Sequence, residues 1–165
     1  LEMELQLFGI NHKTSNVAAR EKFIISESNQ ILLDRHLKKL FGKDFESFFG
    51  ISTCNRTEVY FVGKSGISRQ VFKEVLRLLN VKDISKKSFY FLSNHDALVH
   101  MCKVASGIDS QVLGEQEIFG QFKIALKTFS SKDCTVEFGP VTRLTDLTKD
   151  KRIRRKTIQL VRRVK

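Results

Sequence analysis

The chain has 165 residues, 41% of them hydrophobic and 28% charged, which suits one buried core and excludes a disordered chain. No apolar run approaches the roughly 18–20 residues that a membrane-spanning helix needs, and the start shows no secretory pattern, Leu1-Glu2-Met3 reading as a short extension before a native methionine. The net charge of +11 is uneven: residues 149–165 hold nine lysines and arginines against Asp150 alone, so the body is only weakly basic and the pattern suggests a local contact or a cut element where a dispersed basic surface would suggest general nucleic-acid binding.

In chain order, residues 5–10 read as a first strand running into a polar turn at 11–16. Ser15 or Asn16 suits the cap of a helix beginning near Val17, and Ser26 or Ser28 offers a second start. Ile31, Leu32, His36, Leu37, Leu40 and Phe41 recur at helical spacing, and Gly42 marks the stop. Strands near 47–53 and 57–63 flank a polar turn. Gly63 to Gly66 makes a further turn, before a helix around 67–79 with Val71, Phe72, Val75, Leu76 and Leu79 on its apolar side. Residues 88–92 supply a fourth strand, and Ser93-Asn94-His95-Asp96 opens a helix to about Ala105. Another helix is expected from about Glu115 to Phe129, while 131–150 carry no clear pattern.

The order β-α-β-β-α-β predicts a ferredoxin-like split βαβ arrangement, an α+β fold with an antiparallel sheet, helices on one face, and additional C-terminal helices. Residues 1–148 are expected to form this domain. Residues 149–165 end in mid-pattern, so they read as the first turns of a basic helix continuing into a longer protein. The three cysteines, Cys54, Cys102 and Cys134, are odd in number and widely spaced. That argues for a reducing compartment and against a disulfide framework or a metal site.

Residues 52–58, Ser-Thr-Cys-Asn-Arg-Thr-Glu, carry the sharpest chemical signal. A tight connection between two strands presents the Cys54 thiol at a sheet edge, with Arg56 two residues on. A nearby cation favours the thiolate, the nucleophilic form, and a guanidinium forks onto a carboxylate. Nucleophile and anion receptor together suggest covalent chemistry on an acidic acyl group. Cys102 shares a helical face with Leu98, Met101 and Ala105 and reads as core. His100 lies on a different face beside Ala97 and Val104. A second polar constellation, residues 100–121, is set around Gly107, Gly114 and Gly120, where backbone N–H groups can approach a ligand.

Gly9 to Thr14, Ser52 to Glu58 and Ala105 to Gln121 resemble, in order, three signature blocks of the glutamyl-tRNA reductase family, and Lys151-Arg152-Ile153-Arg154 resembles a weaker basic block. The resemblance implies reduction of glutamyl-tRNA to glutamate-1-semialdehyde with NADPH, at the opening of tetrapyrrole (porphyrin) biosynthesis. It implies Cys54 as the nucleophile that holds glutamate as a thioester, and His100 as a residue important for activity, polarising the carbonyl or handling a proton. It implies glutamate contacts from Thr53, Asn55, Arg56, Ser110, Glu115, Gln116, Glu117 and Gln121. It further implies a cytoplasmic or plastid-stromal protein, a full-length homodimer, and the next enzyme, the glutamate-semialdehyde aminomutase, as a candidate contact.

Two departures from the family pattern stand out. Gly114-Glu115-Gln116-Glu117 replaces the family's usual Gly-Glu-Pro-Gln, and Glu117 adds a negative charge that suits an anionic substrate only if it is protonated or faces the substrate ammonium. No Gly-x-Gly-x-x-Gly follows a strand, so the NADPH-binding domain is expected outside this chain, along with the dimerising helical region. Two other readings compete. One is a non-enzymatic tRNA-binding module working through the basic tail; the other is a hydrolase using Cys54 and His100 as a dyad.

Overall fold

The computed structural model describes residues 3–106, together with the backbone of residues 137–138 and 142–143. The expected site residues Ser110, Glu115, Gln116, Glu117 and Gln121, the expected helix at 115–129, Cys134 and the basic tail 149–165 lie outside the described residues, as does the side chain of Cys102.

Four strands build the main sheet: β1 (Met3–Asn11), β2 (Phe45–Ser52), β3 (Arg56–Lys64) and β4 (Tyr90–Ser93). Their spatial order is β2-β3-β1-β4 and every pairing is antiparallel. That is the split βαβ order expected from the sequence. The described helices are α1 (Val17–Lys22), α2 (Glu27–Phe41), α3 (Ser68–Leu78) and α4 (Asn94–Ser106). Two short strands, β5 (Glu137–Phe138) and β6 (Thr142–Arg143), pair with each other in the stretch that showed no clear pattern.

Both candidate helix starts are used. The Asn16 side chain accepts from the Ala19 N–H at 2.8 Å to cap α1, and Ser26 accepts from the Asn29 N–H at 3.2 Å to cap α2. Gly42 ends α2 at φ +56°, a left-handed value that a side chain disfavours.

Helices cover both faces of the sheet, which corrects the expectation of one covered face. Alternation along the strands explains why. Phe8, Ile10, Val59 and Phe61 point to one side and pack with Leu33 and Leu37 of α2 and Val71, Phe72 and Val75 of α3. Leu5, Leu7, Phe49, Ile51, Tyr60 and Val62 point to the other side, beneath Ala97 and Val104 of α4. A strand with apolar residues at both parities has two faces to bury. The inner arc of α2 also differs from expectation. Leu33 and Leu37 are buried, whereas Ile31, Leu32 and Leu40 are half or more exposed. Packing on the aromatic side of the sheet selected a different arc from the one the apolar count favoured.

Gly9 has a particular place in the α4 face. It sits between Glu58 of β3 and Tyr90 of β4 in one cross-strand row. A Cβ at Gly9 would lie 2.6 Å from the Thr57 carbonyl oxygen and 2.9 Å from Glu58 Cγ. The bare backbone therefore lets Tyr90 reach across to Glu58. Gly9→Ala should destabilise the fold by about 1–3 kcal/mol, the usual cost of overpacking. A thermal melt indistinguishable from that of the unaltered chain would refute this account of the gap.

Candidate active site

The β2–β3 connection is held by a closed set of hydrogen bonds. The Thr53 N–H donates to the Arg56 carbonyl at 2.8 Å, and the Asn55 N–H donates to Thr53 Oγ1 at 3.2 Å. Ser52 Oγ and Thr57 Oγ1 bond across the strand ends at 3.0 Å, and Ser52 Oγ also accepts from the Ile25 N–H at 2.9 Å. At the tip, Cys54 is exposed while Asn55, Arg56, Thr57 and Glu58 are buried.

The polar turn after β1 supports this loop from below. Asn11 organises the turn: its Oδ1 accepts from the Lys13 and Thr14 N–H groups at 2.9 and 3.2 Å, and its carbonyl accepts from Ser15 Oγ at 2.7 Å. The turn carries His12 to the loop, where its backbone N–H donates to the Asn55 carbonyl at 2.9 Å. From α1, Arg20 Nε donates to the Cys54 carbonyl at 3.1 Å, and its terminal Nη1 donates to the Ser15 carbonyl at 2.6 Å. The first two signature blocks thus meet in space through backbone bonds.

Beneath the loop, on the α4 face, Glu58 is completely buried and accepts from several donors. Tyr60 Oη donates to Oε1 at 3.0 Å and Tyr90 Oη to Oε2 at 2.6 Å. His100 Nε2 of α4 also bonds Oε2, and Arg56 Nη1 stands 3.6 Å from Oε1. Burial alone would raise the Glu58 carboxyl. The His100 hydrogen bond and charge, the Arg56 charge and the Tyr90 hydroxyl together outweigh it and hold the group below its ordinary value. Burial first, then the Glu58 charge, pushes the Tyr60 hydroxyl well above its ordinary value, so it stays a donor.

An ionised carboxylate only accepts, so His100 Nε2 must carry the hydrogen in this pair. In the neutral ring Nδ1 is then the acceptor. The Tyr90 ring lies 5.4 Å from the imidazole, centroid to centroid, and restricts its tilt. This is the carboxylate–imidazole arrangement that fixes a tautomer for proton transfer.

The structure places the predicted residues unevenly. Cys54 and Thr53 reach the surface, and His100 is half-buried on the α4 face that Ala97 and Val104 define. Arg56, expected to fork onto a substrate carboxylate, is fully enclosed with its guanidinium beside Glu58. Asn55 is buried and serves the loop through its backbone. Sequence reasoning missed Glu58 as a central acceptor, and also Arg20 and Tyr90. A carboxylate set directly before the apolar run Val59-Tyr60-Phe61-Val62 was the available signal. Among the described residues, no group of three His, Cys, Asp or Glu side chains could hold a metal ion, and no helix is long and apolar enough to cross a membrane.

Comparison with known proteins agrees with this architecture. The pattern of the family described as Glutamyl-tRNAGlu reductase, N-terminal domain, matches residues 8–157. The glutamyl-tRNA reductase of Desulfotalea psychrophila is 37% identical over 144 residues, covering 85% of this chain and 32% of that protein. The enzyme of the same name from Psychromonas ingrahamii is 38% identical over 127 residues, covering 76% of this chain and 30% of that protein. The solved glutamyl-tRNA reductase from Methanopyrus kandleri superposes with a TM-score of 0.64 at 25% identity, covering 96% of this chain and 33% of its own. The chain belongs to the glutamyl-tRNA reductase family, within its N-terminal domain, and spans about a third of the length of the relatives it matches.

Replacing Glu58 by Gln should cost about 3–5 kcal/mol at neutral pH, because it removes the buried charge on which Tyr60, Tyr90, His100 and Arg56 converge. The pH dependence has a definite sign. A carboxyl held low in the folded state contributes stability above the ordinary carboxylate range, and that stability is lost as pH falls through the folded value. Thermal melts from pH 7 to pH 2 should therefore show a steeper acid limb for the unaltered chain than for Glu58→Gln. Parallel limbs would show that the carboxylate is not held ionised by this network.

Proposed function

We propose that this chain is the acyl-capturing domain of a glutamyl-tRNA reductase, acting in tetrapyrrole biosynthesis. Cys54 Sγ attacks the glutamyl ester carbonyl of glutamyl-tRNA. The carbon–sulfur bond forms, the ester carbon–oxygen bond breaks, and the thiol proton ends on the released ribose hydroxyl. The product is a glutamyl thioester on Cys54, more electrophilic than an oxygen ester and therefore ready for reduction to the aldehyde.

The observation that carries this reading is the exposure of Cys54 alone at the tip of a run whose following four residues are buried. His100, fixed through Nε2 by Glu58, offers Nδ1 for handling the transferred proton. Thr53 flanks the thiol, and Arg56, enclosed beside the Glu58 carboxylate, supports the loop from within. Ser110, Glu115, Gln116, Glu117 and Gln121 are proposed to complete glutamate recognition.

NADPH is proposed as the reductant, held by a part of the protein outside this chain. The residues of this chain do not fit it, since no strand-to-helix turn carries the glycine pattern that cradles a dinucleotide. Cytoplasmic or plastid location, homodimerisation and contact with the aminomutase belong to the same proposal.

The test is acylation of the 165-residue chain by glutamyl-tRNA without reductant, followed by mass spectrometry. One glutamyl group should appear on Cys54 and should vanish in Cys54→Ser. Undiminished acylation of Cys54→Ser through another side chain would discard the assignment, as would an inert unaltered chain.

A further inference from the structure

Arg20 is 8% exposed, an unusual position for a guanidinium on a six-residue helix. Its Nε donates to the carbonyl of Cys54 itself, and Nη1 donates to the carbonyl of Ser15. One planar fork thus ties the nucleophile's own peptide group to the turn that follows β1. A carbonyl oxygen fixed in space fixes the peptide plane between residues 54 and 55, and with it the backbone angle that aims the Cys54 side chain. The His12 N–H holds the next carbonyl, that of Asn55, from the same turn.

We propose that Arg20 is a positioning residue for Cys54: its buried fork holds the backbone of the nucleophile so that the thiol meets the ester carbonyl in an attacking geometry. The inference rests on the reading of Cys54 as the acylated nucleophile. The chemistry favours arginine at this place. Two carbonyls from separate segments are met by two N–H groups of fixed relative direction, which a lysine ammonium on its flexible stem does not reproduce. Displacing a reacting group by about 1 Å costs about 100-fold in rate, so a loop freed at this carbonyl should lose rate more than binding.

The experiment follows single-turnover acylation of the 165-residue chain by glutamyl-tRNA for the unaltered protein, Arg20→Met and Arg20→Lys. Alkylation of Cys54 by iodoacetamide is run in parallel as a reaction with little demand on approach angle. For Arg20→Met the saturating acylation rate should fall by about 10- to 100-fold, with the half-saturating tRNA concentration within about twofold and alkylation within about threefold of the unaltered chain. Arg20→Lys should fall between the two. A folded Arg20→Met chain with an unchanged saturating rate overturns the proposal. So does a loss seen only in the half-saturating concentration, which would make Arg20 a substrate-binding residue. If Arg20→Met does not fold, Arg20→Lys decides, and a rate equal to that of the unaltered chain overturns the proposal. An unaltered chain that is alkylated but never acylated would instead remove the function proposed above, and this inference with it.

Discussion

The structure depends on one buried carboxylate. Glu58 lies near the start of a central strand with no contact with water, a location that would ordinarily neutralise a carboxyl. It stays ionised because Tyr60, Tyr90, His100 and Arg56 arrive from β3, β4 and α4. The hydroxyls, the imidazole and the facing guanidinium are in turn held in place by the carboxylate. Two strands and a helix are thereby fixed relative to one another at the point where the candidate chemistry begins.

The two sheet faces divide the work. The face under α2 and α3 is aromatic: Phe72 stands edge-on to Phe8, Phe89 and Phe91 with ring centroids 4.8–5.3 Å apart. This core sets the strand register by shape and burial, with the buried Gln6 side chain donating to the Gly63 and Lys64 carbonyls at its edge. The face under α4 uses that register. A slip of one residue would turn Glu58 and Tyr60 into the aromatic core and bring Val59 and Phe61 under His100. The apolar face therefore guarantees the geometry of the polar one.

Much of the fold was legible because it follows from local patterns. Period-2 and period-3.6 runs gave the four strands and the helices, and the polar interruption at 53–55 gave the connection that exposes Cys54. Ala97, His100 and Val104 were placed on one face of α4 by spacing alone. The features that escaped are those joining distant segments: His100 to Glu58 across 42 positions, and Arg20 to the Cys54 carbonyl across 34. Neither pair has a periodicity. Arg56 reads as a substrate receptor because its burial depends on the tertiary cover above it. Leu33 was overlooked for Ile31 and Leu32 because composition cannot say which arc of a helix a sheet will select.

The signature blocks at 9–14 and 52–58 are better understood as architecture than as a list of reactive groups. Gly9 contributes an absent side chain, Asn11 a folded turn, and His12 a backbone N–H. Asn55 contributes a carbonyl and Glu58 an anchoring charge. Within residues 53–58 the exposed side chain is that of Cys54, with Thr53 partly open beside it. A thiol that must meet an ester at a defined angle needs a rigid backbone, and rigidity in a three-residue connection comes from bonds made by its neighbours. The density of polar residues around one cysteine follows from that need, since most of them face inward to hold a single atom outward.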